Sequence, residues 1–380
     1  MLKIVSAVLF AVLLSATKCF SFVVSPGNGK TPSHSSFALL SLPPLTIIKY
    51  GGNAMTSPSL QQKFCADLST IDNPLLIIHG GGPFITQLQR DLGVEDKFNE
   101  DSGMRVSTEE TVRIAEMVLS GTVNKQIVSG INRGRGRKAI GLSGRDGSLI
   151  ECVREPSGKI GDVGIPRNVN TGLLKSLVYD LNVIPVLSPI SNGVAGTPEE
   201  GECSRVQSSS AVECSRRVQS SSAVVECSRV QPRGSLSLSL SLSLSLSLFL
   251  FLSLSDTNTQ RHIAPPTETV FNVNADFAAG FIAGQIESKE EVTVERLLFF
   301  TDIEGVKDGP DGKVYPTLTL DECSKLIEDG TISGGMIPKV RMCVEAVESG
   351  VKEAVILDGR QEGAVLKGVQ GGNCGTVIKR

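Results

Sequence analysis

The chain has 380 residues, 40% hydrophobic and 20% charged, with 37 basic against 40 acidic side chains, a net charge of −3, no Trp and three Tyr. That length allows one large domain or two ordinary ones, with ample chain for a buried core. The near-neutral balance argues against a nucleic-acid binder, which shows a basic patch and stacking aromatics, and against a disordered acidic protein.

Residues 1–44 read as a targeting leader. No acidic residue precedes Asp67, whereas Lys3, Lys18 and Lys30 do. An apolar run from Ile4 to Leu14, broken only by Ser6, follows one lysine and leads into Ser15-Ala16-Thr17. That is the layout of a signal peptide, too short to span a bilayer. The acid-free Ser, Pro and Gly stretch from Ser21 to Pro44 reads as a transit segment. The neighbourhood of Cys19-Phe20-Ser21-Phe22 resembles the cleavage region of bipartite plastid leaders. The expectation is a plastid stroma protein with no membrane segment in its mature form, ahead of a secretory or mitochondrial route.

Leu45 to Lys49 and Pro74 to Ile78 are short apolar runs that end in glycine turns, each followed by an amphipathic stretch starting near Pro58 or Pro83. Thr108 to Ile131 has a helical pattern with Gly121 as the expected break, and Asn170 to Leu181 has another, before a buried strand at Val183 to Leu187. Residues 199–267 then interrupt the pattern. Glu202-Cys-Ser-Arg-Val-Gln207 recurs at Glu213–Gln219 and Glu226–Gln231, and Ser and Leu alternate from Ser235 to Leu248. Uniform alternation without turn residues specifies no strand register. The stretch reads as an expanded simple repeat or a gene-model artefact rather than a functional insertion. Beyond it come helical patterns at Ala275–Glu287, Asp321–Asp329 and Lys339–Glu348, and strands at Leu297–Thr301 and Glu353–Leu357. Apolar strands alternating with helices predict an α/β fold, an αβα sandwich on a mainly parallel central sheet. Such sheets bind ligands beyond the carboxyl ends of their strands.

Of nine cysteines, Cys19 belongs to the leader and Cys203, Cys214 and Cys227 to the repeat, leaving Cys65, Cys152, Cys323, Cys343 and Cys374. No Cys-x-x-Cys occurs, and His34, His79 and His262 are scattered. Neither a disulfide framework nor a protein-held metal site is expected, and the working compartment reads as reducing. Gly27 to Thr31 resembles part of a Walker A loop but has Val24 at the first glycine position and Pro32 where a helix should continue. His79-Gly-Gly-Gly82 matches a lipase oxyanion loop, but no Gly-x-Ser-x-Gly elbow accompanies it; Gly141-Leu-Ser-Gly-Arg145 lacks the last glycine.

Two glycine clusters stand at strand ends: Lys49-Tyr-Gly-Gly52 and His79-Gly-Gly-Gly-Pro83. Such glycines let backbone N–H groups approach an anion, although tight turns alone explain them as well. Lys49 tilts the balance, because a lysine closing a buried strand needs an anionic partner. Phe271-Asn-Val-Asn-Ala-Asp276 puts Asn272, Asn274 and Asp276 at alternate positions before a helix of small residues. Gly334-Gly335-Met336-Ile-Pro-Lys339 is a second glycine-to-helix junction, with a lysine that opposes the helix dipole. A bound anion gives that lysine a reason; a solvent-facing side chain is the simpler alternative.

In order, these motifs resemble the amino-acid kinase family, and within it the N-acetylglutamate kinases. The matching text is Ile47 to Met55, His79 to Pro83, Ser102-Gly-Met-Arg-Val106, Asn124-Lys125, Gly141 to Gly144, Asn272 to Asp276, Thr301-Asp302 and Gly334 to Lys339. The resemblance covers 45–198 plus 268–380 as a single domain, substrate lobe first and nucleotide lobe toward the carboxyl end. It implies phosphorylation of the side-chain carboxylate of N-acetyl-L-glutamate by ATP, with Mg²⁺ bound through ATP, in the second step of arginine biosynthesis. It implies that Lys49 and Lys339 clamp the transferring phosphoryl group, with Asp276 orienting both. Gly51, Gly52, Gly81 and Gly82 would offer backbone donors, the latter pair also near the substrate. Arg105 would take its α-carboxylate and Asn272 its amide region. Asp302, Gly305, Lys307, Gly335 and Met336 would line the nucleotide pocket. A homo-oligomer (dimer or hexamer) and a PII nitrogen-signalling partner are implied in the same way. Carbamate, aspartate, glutamate or nucleotide kinases of the family, and a catalytically impaired arginine or nitrogen sensor, are the competing readings. The chain has Gly363 and Lys367 where arginine-inhibited members carry His and Glu, so the resemblance does not extend to feedback inhibition.

Overall fold

The computed structural model describes residues 42–99, 103–194, 266–290, 292–309, 312–372 and 374–380. The leader up to residue 41, residues 199–265 of the repeat, and Ser102 lie outside the described residues.

The strand β1 (Leu45–Tyr50) is buried along its whole length and runs through a short helical turn (Gly52–Met55) to α1 (Pro58–Leu68). The next unit is β2 (Leu75–His79) followed by α2 (Gly82–Leu92). Thr108 caps α3 (Glu109–Glu116), its hydroxyl accepting from the Thr111 amide. The helix does not break at Gly121. It widens into a π-helical stretch (Met117–Val123) and continues as α4 (Asn124–Asn132). Buried Val118, Leu119 and Val123 hold that stretch against the sheet, so packing overrides the low helix propensity of one glycine.

Then come β3 (Ala139–Ser143), β4 (Ile150–Arg154), β5 (Gly164–Val169), α5 (Thr171–Lys175) with a π turn behind it (Ser176–Asp180), β6 (Ile184–Ser188) and β7 (Ile190–Val194). After the repeat the chain forms β8 (Pro266–Asn272), α6 (Ala275–Lys289), β9 (Val294–Thr301), β10 (Thr317–Thr319) and α7 (Leu320–Glu328). It ends with α8 (Met336–Glu348), β11 (Glu353–Asp358), α9 (Ala364–Gln370) and β12 (Thr376–Lys379).

The main sheet has eight strands in the order β10-β12-β11-β9-β1-β2-β6-β3. The six from β11 to β3 are mutually parallel, and β12 runs antiparallel to β11. The mainly parallel sheet expected from the apolar strands is therefore present. Alternate residues of β1 feed two cores: Ile47 packs with Ala279, Ile282 and Val340 of α6 and α8, whereas Ile48 and Tyr50 pack with Phe64 and Leu68 of α1. Strand alternation thus turns Lys49, two residues beyond Ile47, toward α6 and α8. A smaller sheet, β5-β4-β7-β8, was not expected from the sequence. The repeat leaves the fold between two of its neighbouring strands, β7 and β8, which pair antiparallel.

In the main sheet β1 lies between β2, its sequence neighbour, and β9, which comes from beyond the repeat. Connections depart in opposite directions from this point, and the crevice at the carboxyl ends of such strands is where a parallel sheet receives a ligand.

Candidate active site

The carboxyl end of β1 presents Lys49, 7% exposed, toward the start of α6. Asn274 caps that helix, its side-chain oxygen accepting from the amides of Asp276 and Phe277 at 2.8 and 3.3 Å. The cap sets Asp276 in the first turn, where the positive end of the helix favours a carboxylate. Lys339 reaches the same carboxylate from the first turn of α8. The two helices approach closely because α6 is built from small residues: a Cβ on Gly280 would stand 3.3 Å from the Met342 carbonyl oxygen, and one on Gly284 only 2.9 Å from the Ser349 Cβ.

Asp276 therefore joins both lysines, with Lys49 Nζ 2.7 Å from Oδ1 and Lys339 Nζ 2.7 Å from Oδ2. Burial raises the pKa of the Asp276 carboxyl, but the two ammonium groups outweigh it and hold the value down at about 2. Burial lowers the pKa of Lys49, and the Asp276 charge opposes that while the Lys339 charge adds to it. The group is a carboxylate shared by two cations. Each ammonium has three N–H donors, so contact with one carboxylate oxygen leaves others for an anionic ligand.

The glycines around it have distinct reasons. A Cβ on Gly51 would fall 2.4 Å from Lys49 Nζ and 3.0 Å from its Cε, so glycine here leaves room for the lysine. Gly52 has φ +71°, which favours glycine, and its Cβ would lie 3.9 Å from the Asp302 amide nitrogen. Gly81 caps α2 and faces the π-helical stretch, where a Cβ would meet Leu119 Cδ2 at 2.6 Å. Gly82 opens the helix, and the first amides of a helix have no carbonyl of their own helix to pair with. Exchanging Gly51 for Ala is expected to push the Lys49 ammonium off Asp276 without unfolding the chain. Steady-state assays should show kcat lower by about 10- to 10²-fold, the scale of an ångström misplacement, with a fall in melting temperature no larger than that of a Lys49→Ala variant.

Arg105 and Asn272 come together through a residue the sequence did not single out. The Asn272 amide donates to Ser107 Oγ at 3.1 Å, and Ser107 Oγ donates to the Arg105 carbonyl at 3.2 Å. The Arg105 guanidinium donates to Gln89 Oε1 at 2.6 Å, Thr86 Oγ1 at 3.0 Å and the Gly82 carbonyl at 3.3 Å, and it pairs with Asp96. A ligand carboxylate at Arg105 thus has to use a free edge or displace Asp96.

The residues expected in the nucleotide pocket divide. Asp302 lies beside Gly52, and its carbonyl accepts from Arg360, whose guanidinium also grips Asp358 through two 2.9 Å bonds. The Arg360 bridge ties the loops after β9 and β11; its signal in the sequence was the Asp-Gly-Arg turn closing an apolar strand. Gly335 caps α8, and Met336 begins it, half-buried against the core. Gly305, at φ +153°, is crowded by Thr376 and Val314, and Lys307 pairs with Glu304 at 3.3 Å. Among the described residues, the contacts of Gly305 and Lys307 are with these neighbours and not with the triad.

A profile described as the amino acid kinase family matches residues 44–214 and 258–358. The chain belongs to the amino acid kinase family. Acetylglutamate kinase of Methylobacterium nodulans is 34% identical over 337 residues, 85% of this chain and 84% of that protein. Acetylglutamate kinase of Geobacter metallireducens is 34% identical over 334 residues, 84% of this chain and 86% of that protein. Among solved structures, carbamate kinase from Giardia lamblia bound to AMP-PNP shares the fold with TM-score 0.53 at 14% identity, over 90% of this chain and all of that one. N-acetylglutamate synthase from Neisseria gonorrhoeae aligns with TM-score 0.59 at 18% identity over 88% of this chain. This chain spans about three fifths (61%) of the synthase chain.

Proposed function

We infer that the chain is an acetylglutamate kinase, which transfers the γ-phosphoryl group of ATP to the side-chain carboxylate of N-acetyl-L-glutamate in arginine biosynthesis. The observation that carries the reading is the Lys49–Asp276–Lys339 triad at the carboxyl end of β1, in a chain one-third identical to acetylglutamate kinases along most of its length.

A carboxylate is already nucleophilic, so the reaction needs neither a general base nor a covalent enzyme intermediate. One carboxylate oxygen forms a bond to the γ-phosphorus, the bond from that phosphorus to the bridging oxygen breaks, and ADP leaves with the electron pair. The obstacle is electrostatic: two anions must meet, and charge spreads over the transferring oxygens. Lys49 and Lys339 supply positive charge on two sides, and Asp276 keeps both in place. Asp276 stays ionised down to a pH of about 2, so the carboxylate that holds them persists across the physiological range. The amides at Gly81 and Gly82 add donors at the positive end of α2. Mg²⁺ would arrive on ATP and neutralise phosphate charge; among the described residues no cluster of three or more His, Cys, Asp or Glu is placed to hold a metal. Arg105 and Asn272, joined through Ser107, form the substrate end of the proposal. A homo-oligomeric state, a PII partner and a plastid destination belong to it on sequence resemblance and leader composition alone.

Incubation with MgATP, N-acetyl-L-glutamate and hydroxylamine should yield the hydroxamate of the side-chain acylphosphate, one per ADP released. Release of ADP with no hydroxamate would refute acylphosphate formation.

A further inference from the structure

The triad leaves unused a polar chain running from exposed Lys125 through buried Asn124 and His79 to the glycine loop. His79 is the last residue of β2, and the described structure buries it completely. Its Nδ1 lies 2.9 Å from the Gly80 carbonyl oxygen and its Nε2 3.1 Å from Asn124 Nδ2. The orientation of the Asn124 amide is set from both ends. Lys125 Nζ, which can only donate, is 3.1 Å from Asn124 Oδ1. Asn124 Nδ2 also donates to the Val186 carbonyl at 2.8 Å and the Leu142 carbonyl at 3.3 Å. Nδ2 has two N–H groups to share among these three neighbours and cannot accept, so a proton on His79 Nε2 would face only donors, and Nε2 must be bare. The ring proton then sits on Nδ1 and points at the Gly80 carbonyl, which can only accept. Burial agrees, pushing the imidazole pKa down to about 4, so the ring is neutral at physiological pH.

The consequence lies one peptide further along. The Gly80 amide donates to the Tyr50 carbonyl at 2.9 Å, continuing the ladder between β1 and β2. The bond from His79 to the Gly80 carbonyl then sets the orientation of the peptide plane that follows. In a trans peptide the next N–H points opposite to that carbonyl. The Gly81 N–H is thereby turned away from the imidazole. The loop stands against the start of α6: a Cβ on Gly80 would be 3.7 Å from Ala275 Cβ, next to Asp276.

We propose that His79, held in its Nδ1-protonated tautomer by Asn124 and Lys125, is a positioning residue that aims the Gly81 amide at the phosphoryl group held by the two lysines. The proposal rests on the kinase reading above for its substrate, though not for its tautomer. It also gives Asn124, Lys125 and Gly141 a role. A Cβ on Gly141 would fall 1.9 Å from Asn124 Oδ1 and 2.8 Å from Lys125 Nζ, so only glycine lets this chain of bonds form beside β3.

The test uses the full chain in two measurements. Side-chain ¹⁵N NMR of the wild type, which has three histidines, should show one ring with protonated Nδ1 and bare Nε2 at neutral pH, a signal missing from His79→Leu. In steady-state assays His79→Leu should lower kcat by about 10²-fold, the scale of one lost backbone donor, with both KM values within about threefold. His79→Asn places an amide N–H near the Nδ1 position and should recover kcat to within about fivefold of wild type. A merely structural histidine would give no such rescue. Protonation at Nε2 of the ring whose signal His79→Leu removes would overturn the proposal, as would His79→Asn matching His79→Leu in kcat, or His79→Leu retaining wild-type kcat. Wild type with no turnover of N-acetyl-L-glutamate would instead sink the kinase reading, and the NMR spectrum of the ring is recorded without substrate.

Discussion

Alanine at Lys49 or Lys339 is expected to lower kcat by about 10²–10³-fold, the scale of one lost electrostatic donor at a transferring group. The two losses should differ in their side effects. Lys339 is the more exposed at 20% against 8% for the Lys49 side chain, and it extends from a helix start. Removing it leaves Asp276 paired with Lys49 and takes a positive charge from the unfavourable end of α8. Thermal stability should hardly change. Lys49 closes a buried strand, and its loss leaves a gap beneath Gly51 and strips Asp276 of its more buried partner. A modest fall in melting temperature should accompany the loss of rate. Because the lysines act as a unit, the double variant should be far less than multiplicatively slower. Steady-state kinetics on the single and double variants, beside calorimetry, check each of these outcomes.

Asp276→Asn should be the most damaging single change. It keeps the shape and removes the charge, so two ammonium groups share a neutral amide in a pocket where Lys49 is almost wholly buried. Breaking a buried ion pair by deleting one partner costs about 3–5 kcal/mol, and without their shared carboxylate the lysines repel. Denaturant unfolding should report that loss of stability, and turnover should fall at least as far as in the lysine variants. The acid limb supplies an independent sign. Asp276 has a folded pKa of about 2 against an ordinary value of 3.8. Its contribution to stability is complete above that ordinary value and fades as pH falls from there through about 2. The wild type should lose stability across that window, and the Asn variant should lack this component. A stability profile unchanged by the substitution would show that the triad is not held as drawn.

Much of this site was legible in the sequence, for a reason visible in β1. An apolar run ending in lysine and two glycines combines strand alternation, a buried charge and room for close approach, all local properties. The helix starts at Asp276 and Lys339 were legible in the same way, from small residues and glycines at strand-to-helix junctions. The meeting of these three residues at one point depends on the order of strands in the sheet, which no local pattern encodes, and only family resemblance suggested it. The small sheet was missed because β4, β5 and β7 carry mixed polar residues such as Glu151, Asn168 and Asn192, which do not stand out as buried runs. Gly121 misled because helix propensity weighs one residue, whereas the π-helical stretch is held by three buried neighbours. Ser107 carried no signal because it meets Asn272 across 165 residues of chain, and Asp96, nine residues before Arg105, stands in a loop with no motif to mark it. Gly305 was legible as a loop glycine, but its close approach to Thr376 and Val314 was not.

The ratio of kcat/KM for N-acetyl-L-glutamate to that for L-glutamate, measured with MgATP as the phosphoryl donor, tests the functional reading most directly. A site built to bond the acetyl-amide should favour the acetylated substrate by at least about 10²-fold, since its absence leaves buried polar groups unpaired. A ratio near one, or turnover of glutamate alone, would contradict acetylglutamate kinase activity while leaving the phosphoryl-binding triad intact.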